Sequence, residues 1–250
     1  MTSSTAVDLP YPVDAHDNRR LTRVQAHGKF IFDGDEKLYV RGVTYGTFRP
    51  DSHGHEYPDP HTVAADFAQM AANGINAVRT YTMPPDWLLD SAASYGLRVM
   101  VSLAVERHMG YLADNERPPA HIRRGMRAAI RNAAGHPAIL CYSIGNEIPA
   151  STVRWLGKTR VERYLQRIYD LIKAEDPGGL VTYVNYPTTE YLQLPFLDLV
   201  CFNVYLESPE TFEAYLSRLQ NIAGDRPLMM TEVGVESLRN GVRAQASVLD

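Results

Sequence analysis

Two glutamates stand where apolar runs end. Glu147 follows Ala138-Ile-Leu-Cys-Tyr-Ser-Ile144 by way of Gly145-Asn146, and Glu232 follows Pro227-Leu-Met-Met-Thr231. A single carboxylate after such a run is most often a solvated loop residue. Two of them, far apart in the chain, are the equipment of glycoside hydrolysis. One carboxyl must be protonated to donate to the leaving oxygen, and the other ionised to attack the anomeric carbon. Like-charge proximity and partial burial would separate their pKa values and so divide the roles. Neighbouring residues support the pair. Asn146 carries an amide suited to a sugar hydroxyl, and the run ending Asn203-Val204-Tyr205 brings a phenol able to donate to the attacking carboxylate. Arg79 sits inside Ile75-Asn-Ala-Val-Arg-Thr-Tyr81; a buried guanidinium needs a carboxylate, and Glu232 is the natural candidate.

The elements that must position these groups alternate regularly. Short strands are expected at 22–26 and 29–32, with a turn at Asp33-Gly34-Asp35. Seven further strands follow, at 38–45, 75–81, 97–103, 138–144, 180–184, 197–204 and 227–231. Between them the spacing predicts helices over 62–72, 86–95, 119–134, 151–174 and 209–223, a short helical piece at 188–193, and a final helix from Ser237 to Leu249. Residues 1–21 have no periodicity and are expected to form a flexible lead-in, so the domain is taken as 22–250.

Strand-then-helix repetition argues for a parallel sheet covered by helices, either open and doubly wound or closed as a (β/α)8 TIM barrel. No strand is followed by G-x-G-x-x-G, and no P-loop is present. The barrel makes a prediction of its own, that polar functional residues gather at strand C-termini. They do.

At this point the motifs resemble a known family. Gly42-Val-Thr-Tyr45, Asn76-Ala-Val-Arg79, His136-Pro-Ala-Ile139 leading to Gly145-Asn146-Glu147, and Thr231-Glu232 resemble the catalytic barrel of glycoside hydrolase family 2. That is the β-galactosidase, β-glucuronidase and β-mannosidase group, within the clan A retaining glycosidases. The resemblance implies Glu147 as acid/base, Glu232 as nucleophile, Asn146 on the sugar ring, and Arg79 and Tyr205 around the nucleophile. Two departures stand out. The first twenty-odd residues are expected to be too few for the β-sandwich domains that precede the barrel in this family, and the sequence reaches Asp250 before an expected eighth β/α unit, roughly 40 residues on the same spacing. The expectation is therefore a barrel lacking its eighth unit, one module of a longer multidomain chain.

The loops after the first and third barrel strands are expected to wall the substrate, with Tyr45, Phe48, His53, His55, Tyr57 and His108 as candidate contacts. The full set of candidate binding residues is Asn146, Arg79, Tyr205, Tyr45, His108 and Asn203. His53-Gly54-His55 could begin a metal site, but Asn185-Tyr186 and Asn203-Val204-Tyr205 bring no further histidine at later strand ends. Neither a metal nor a cofactor is expected. A serine hydrolase is disfavoured too, since there is no G-x-S-x-G. Lys+Arg 25 against Asp+Glu 29 gives a net charge of −4, which argues against a nucleic-acid partner. Cys141 and Cys201 lie in apolar runs and are expected as buried thiols. No stretch reaches the roughly 18–20 apolar residues of a membrane span, and residues 1–20 lack the apolar core of a signal peptide, so a cytoplasmic protein is expected. The reading is a retaining β-glycoside hydrolase acting on an oligo- or polysaccharide. A transglycosylase using the same glutamates, or a non-catalytic carbohydrate-binding barrel, are its alternatives.

Overall fold

The computed structural model describes residues 21–52, 54–105, 109–113 and 119–249. The lead-in expected at the N-terminus, and His53 and His108, lie outside them.

Three short strands come first: β1 (Val24–His27), β2 (Phe30–Asp33) and β3 (Glu36–Lys37), an antiparallel meander with Val24 opposite Asp33. Seven parallel strands then build one sheet: β4 (Gly42–Thr44), β5 (Ala77–Thr80), β6 (Arg98–Ser102), β7 (Ile139–Asn146), β8 (Val181–Asn185), β9 (Val200–Val204) and β10 (Leu228–Val233). They lie side by side in chain order from β4 to β10, each pairing with the next. That is the wall of a (β/α)8 barrel built from seven of its eight units. Among the described residues, no strand pairs with the outer edge of β4 or β10.

Helices cover the outside, and local chemistry starts them. Asp59 caps α1 (Pro60–Ala72), its side chain accepting from the His61 and Thr62 amides, while proline occupies the first turn, where no amide partner is needed. Ser208 and Pro209 repeat the arrangement for α7 (Pro209–Ala223). The others are α2 (Asp86–Ser94), α3 (Met109–Ala113), α4 (Ala120–Ala133), α5 (Ala150–Leu156), α6 (Lys158–Glu175), α8 (Ser237–Asn240) and α9 (Val242–Leu249). The single helix expected over 151–174 is two, because Gly157 takes φ +87° and ends α5 one residue before α6 begins. Gly241, at φ +81°, divides the last helix in the same way.

Strand alternation splits the core into layers. Val78, Val99, Val101, Tyr142 and Ile144 face outward into the main cluster under the helices. Ala77, Met100, Cys141 and Cys201 face inward and form a second cluster with Val24 and Ile31 of the meander. The meander therefore plugs the N-terminal end of the barrel. Arg98 fastens it from the buried start of β6, donating to Thr22 O and Pro137 O at 2.5 Å each and pairing with Asp33. Arg23 adds an ion pair to Asp176. The eight-residue strand expected at 38–45 is accordingly shorter: Leu38 N donates back to Ile31 O in the meander, and only Gly42–Thr44 pairs with β5. Cys141 and Cys201 are both buried and unbonded.

Candidate active site

Parity governs which side chains reach the barrel interior, and two β-bulges change it. On β10, Met229 faces inward and Met230 outward, so plain alternation would send Thr231 inward and Glu232 outward toward α7. The register against β9 jumps between Met230 and Glu232, inserting Thr231 as an extra residue. Both Thr231 and Glu232 then point inward. On β7 the register against β8 jumps between Ser143 and Asn146, with Gly145 at φ +150° and the tyrosine ring of Tyr183 3.3 Å from where a Cβ would stand. Glu147 follows at φ +45°, a left-handed conformation that a side-chain-bearing residue adopts only when its surroundings impose it. They do so through hydrogen bonds: Glu147 N donates to Val184 O at 3.0 Å, and Ile148 N to the Tyr183 hydroxyl at 2.9 Å.

One hydrogen-bonded cluster joins the two glutamates. Asn203 Nδ2 donates to Glu147 Oε1 at 2.8 Å and to Asn146 Oδ1 at 3.2 Å. Arg79 Nη2 donates to the same Asn146 oxygen at 2.7 Å, and Arg79 Nη1 to Glu232 Oε1 at 2.7 Å and Thr231 O at 3.3 Å. Thr231 Oγ1 donates to Asn203 Oδ1 at 2.7 Å, which fixes that amide's orientation. Two phenols complete the Glu232 shell: Tyr205 donates to Oε2 at 2.6 Å and Tyr81 to Oε1 at 3.0 Å. Burial chiefly, then the Glu232 carboxylate working against the pull of Arg79, pushes the Tyr81 phenol up to about 12. Burial and the bond to Glu232 push Tyr205 up as well. Both phenols therefore stay protonated and donate across the neutral range.

Glu147, Glu232, Asn146, Arg79, Tyr205 and Asn203 thus come together, while Tyr45 lies apart from them. Arg79 and Asn203 are 5% and 1% exposed; Arg79 Nη1 and Nη2 and Asn203 Nδ2 donate to protein acceptors, while Arg79 Nε has no partner among the described residues. Tyr45 is 4% exposed; its ring packs on Phe67 and its hydroxyl donates to Asp66 on α1 at 2.7 Å, because the residue lies on the helix-facing side of its strand. Asn146 keeps a free donor: its oxygen is doubly engaged, and its Nδ2 has no partner among the described residues. Tyr81 was not anticipated, although it lies two residues beyond Arg79 and so shares its face. No group of three or more His, Cys, Asp or Glu able to hold a metal occurs among the described residues, and no helix there is long and apolar enough to cross a membrane.

A seven-stranded parallel barrel wall with paired glutamates at its C-terminal mouth defines a TIM-barrel domain of the glycosidase type. The family model for glycosyl hydrolases family 2, TIM barrel domain, matches residues 24–248, and the chain belongs to that family. A β-glucuronidase of Pongo abelii is 26% identical over 233 residues, covering 84% of this chain and 33% of the relative. A β-galactosidase of Psychromonas ingrahamii is 29% identical over 166 residues, covering 63% of this chain and 14% of that protein. The solved β-glucuronidase of Bacteroides uniformis superposes with a TM-score of 0.72 at 20% identity, over 90% of this chain and 30% of that one. The chain spans about a third of the length of the β-glucuronidases it matches.

Proposed function

We propose that this domain hydrolyses β-glycosides with retention, Glu232 acting as nucleophile and Glu147 as acid/base. The observation that carries the reading is the asymmetry of the two shells. Glu232 receives three donors, one of them cationic, which fix both of its oxygens in place for attack. Glu147 receives one neutral amide from Asn203 and sits on a strained backbone that aims it over the same cluster. In the first step a Glu232 oxygen bonds to the anomeric carbon as the glycosidic C–O bond breaks, and the Glu147 proton passes to the departing oxygen. In the second, Glu147 takes a proton from water as that water's oxygen replaces Glu232 at the same carbon. The free Asn146 amide is placed to hold a hydroxyl of the reacting sugar. Family membership and the β-glucuronidase and β-galactosidase relatives support a β-glycoside as substrate.

The test is covalent trapping. Activated 2-deoxy-2-fluoro glycosides of the gluco, galacto and glucurono series should label the protein, with the adduct mapped by mass spectrometry to the peptide bearing Glu232. Proton NMR of an early hydrolysate should show the β-anomer first. Initial release of the α-anomer, or labelling that survives Glu232→Ala, would overturn the assignment.

A further inference from the structure

Beyond Tyr81 lies a cavity that the two-carboxylate chemistry does not use. It measures about 210 Å³ and is walled by Tyr45, Phe48, Glu56, Tyr57 and Tyr81, from the segments after β4 and β5. That is below the roughly 300–1,000 Å³ of sites enclosing a drug-sized ligand, and suits a single ring. Its walls are held in place. Phe48 meets Tyr45 edge-on, ring centroids 5.0 Å apart, and tilts against Tyr57 at 6.4 Å. Tyr57 donates its hydroxyl to Thr82 O at 2.9 Å. Tyr81 belongs to both places: its hydroxyl bonds Glu232, its ring covers the Arg79 guanidinium at 4.6 Å, and it lines the cavity.

We propose that this cavity is a second sugar subsite, on the glycone side of the reacting unit, and that the domain consequently acts on β-linked oligosaccharides in preference to single-sugar glycosides. The proposal rests on the assignment of Glu147 and Glu232 above. The chemistry of the walls fits a pyranose, since aromatic faces take the C–H face of a sugar ring while the exposed Glu56 carboxylate at the rim accepts from its hydroxyls. The side is fixed by connectivity. The leaving group departs where Glu147 delivers its proton, among Asn146 and Asn203, and the cavity shares no residue with that cluster. Tyr81 lines it and also bonds the nucleophile, so a ring that fills it lies on the side of the sugar bonded to Glu232. Binding energy gained there acts on the reacting bond because Tyr81 transmits the position of one ring to the carboxylate that attacks its neighbour.

The experiment compares inactivation by 2-deoxy-2-fluoro-β-glycosyl fluorides of the gluco, galacto and glucurono series with their β-1,3- and β-1,4-linked disaccharide homologues. The second-order rate for the better disaccharide should exceed that of its monosaccharide at least about tenfold, the order of gain that remote binding supplies. In Phe48→Ala and in Glu56→Gln, the latter at an exposed position that leaves the fold intact, this ratio should fall toward one. Because the ratio is taken within one preparation, any inactive fraction cancels. Equal rates in the parent protein, or a ratio unmoved in both variants, overturn the subsite while leaving the nucleophile assignment standing. Absence of any adduct with every sugar removes the assignment itself, and the subsite with it.

Discussion

Arg79 and Arg98 lie on adjacent strands of one barrel, both buried, each bound to a carboxylate and to main-chain carbonyls, yet they serve opposite ends. Arg98 stands at the start of β6, 1% exposed, and every partner it has belongs to the plug or to the turn before β7: Thr22 O, Pro137 O and Asp33. Arg79 stands near the end of β5, and its partners are Glu232, Asn146 and Thr231 O, all from strand ends around the open mouth. Its Nε has no partner among the described residues. A guanidinium whose acceptors are mostly carbonyls of packed segments is a staple. One whose acceptors are side chains facing an accessible pocket, with a donor left over, holds other groups in a geometry that packing alone would not choose. Residue type and burial are the same; the partners decide the role.

The largest effect expected from this contrast is at the mouth. Arg79→Met removes the cation from Glu232 and the donor that orients Asn146, and kcat/KM on an activated β-glycoside should drop on the order of 10³-fold, comparable to the loss of a charge-stabilising donor in other active sites. The unfolding midpoint should move less than for the corresponding change at Arg98. A variant that keeps its activity would mean that the tyrosines alone hold the nucleophile.

Arg98→Met should do the reverse. It leaves Asp33 and two carbonyls without their donor and loosens the meander, a loss of about 3 kcal/mol in a urea titration. The folded fraction should turn over substrate within about twofold of the parent protein. A large fall in kcat with unchanged stability would erase the distinction between the two arginines.

Much of this arrangement was legible beforehand, for a physical reason. Apolar runs bounded by Gly and Pro mark strands in a sheet buried on both faces, and a glutamate ending such a run announces itself by contrast. Glu147 and Glu232 were singled out on that basis, Asn146 and Tyr205 as their companions, and Arg79 as a charge inside an apolar run, and the structure brings them into one hydrogen-bonded cluster. What stayed hidden depends on single-residue shifts. The bulge at Thr231 turns Glu232 from the helix side to the interior, and nothing in Leu-Met-Met-Thr-Glu-Val spells a bulge. Tyr45 shows the complementary case: its strand has no bulge, so plain parity carried its ring toward α1 and away from the two glutamates. The meander was read as two strands, but its use as a plug depends on long-range pairing through Arg98 and Arg23 that local pattern does not encode.

The two phenols sharpen the comparison further, since they surround one carboxylate from different strands. Tyr205→Phe removes the short bond to Oε2, and Tyr81→Phe the longer bond to Oε1, where Arg79 already donates. Hydrogen bonds to charged groups are worth about 1.5–3 kcal/mol, so each change should lower kcat by roughly 10- to 100-fold, with Tyr205 toward the upper end. Steady-state kinetics on one aryl glycoside would rank them. Tyr81→Phe having the greater effect would show that Oε1, not Oε2, is the oxygen whose placement limits the reaction.

The smallest effect lies at the plug and depends on pH. Burial pushes the Asp33 carboxyl up, but the hydrogen bonds from Thr22 and Arg98 and the Arg98 charge outweigh it and hold the group below its ordinary value near 4. A carboxyl that binds its proton less readily in the folded state stabilises that state once ionised. Its contribution is therefore whole above about pH 4 and disappears as the pH falls through the lower, folded-state value. Other carboxylates shifted the same way, Glu175 and Glu190 among them, add their own acid dependence, so the informative quantity is a difference. Urea midpoints of the parent and of Asp33→Asn, measured at pH 7, 5, 4 and 3, should lie farthest apart at neutral pH and converge below 4. Midpoints that run parallel across the whole range would show that the Arg98–Asp33 pair contributes nothing through charge, and that Arg98 holds the meander by its bonds to the Thr22 and Pro137 carbonyls alone.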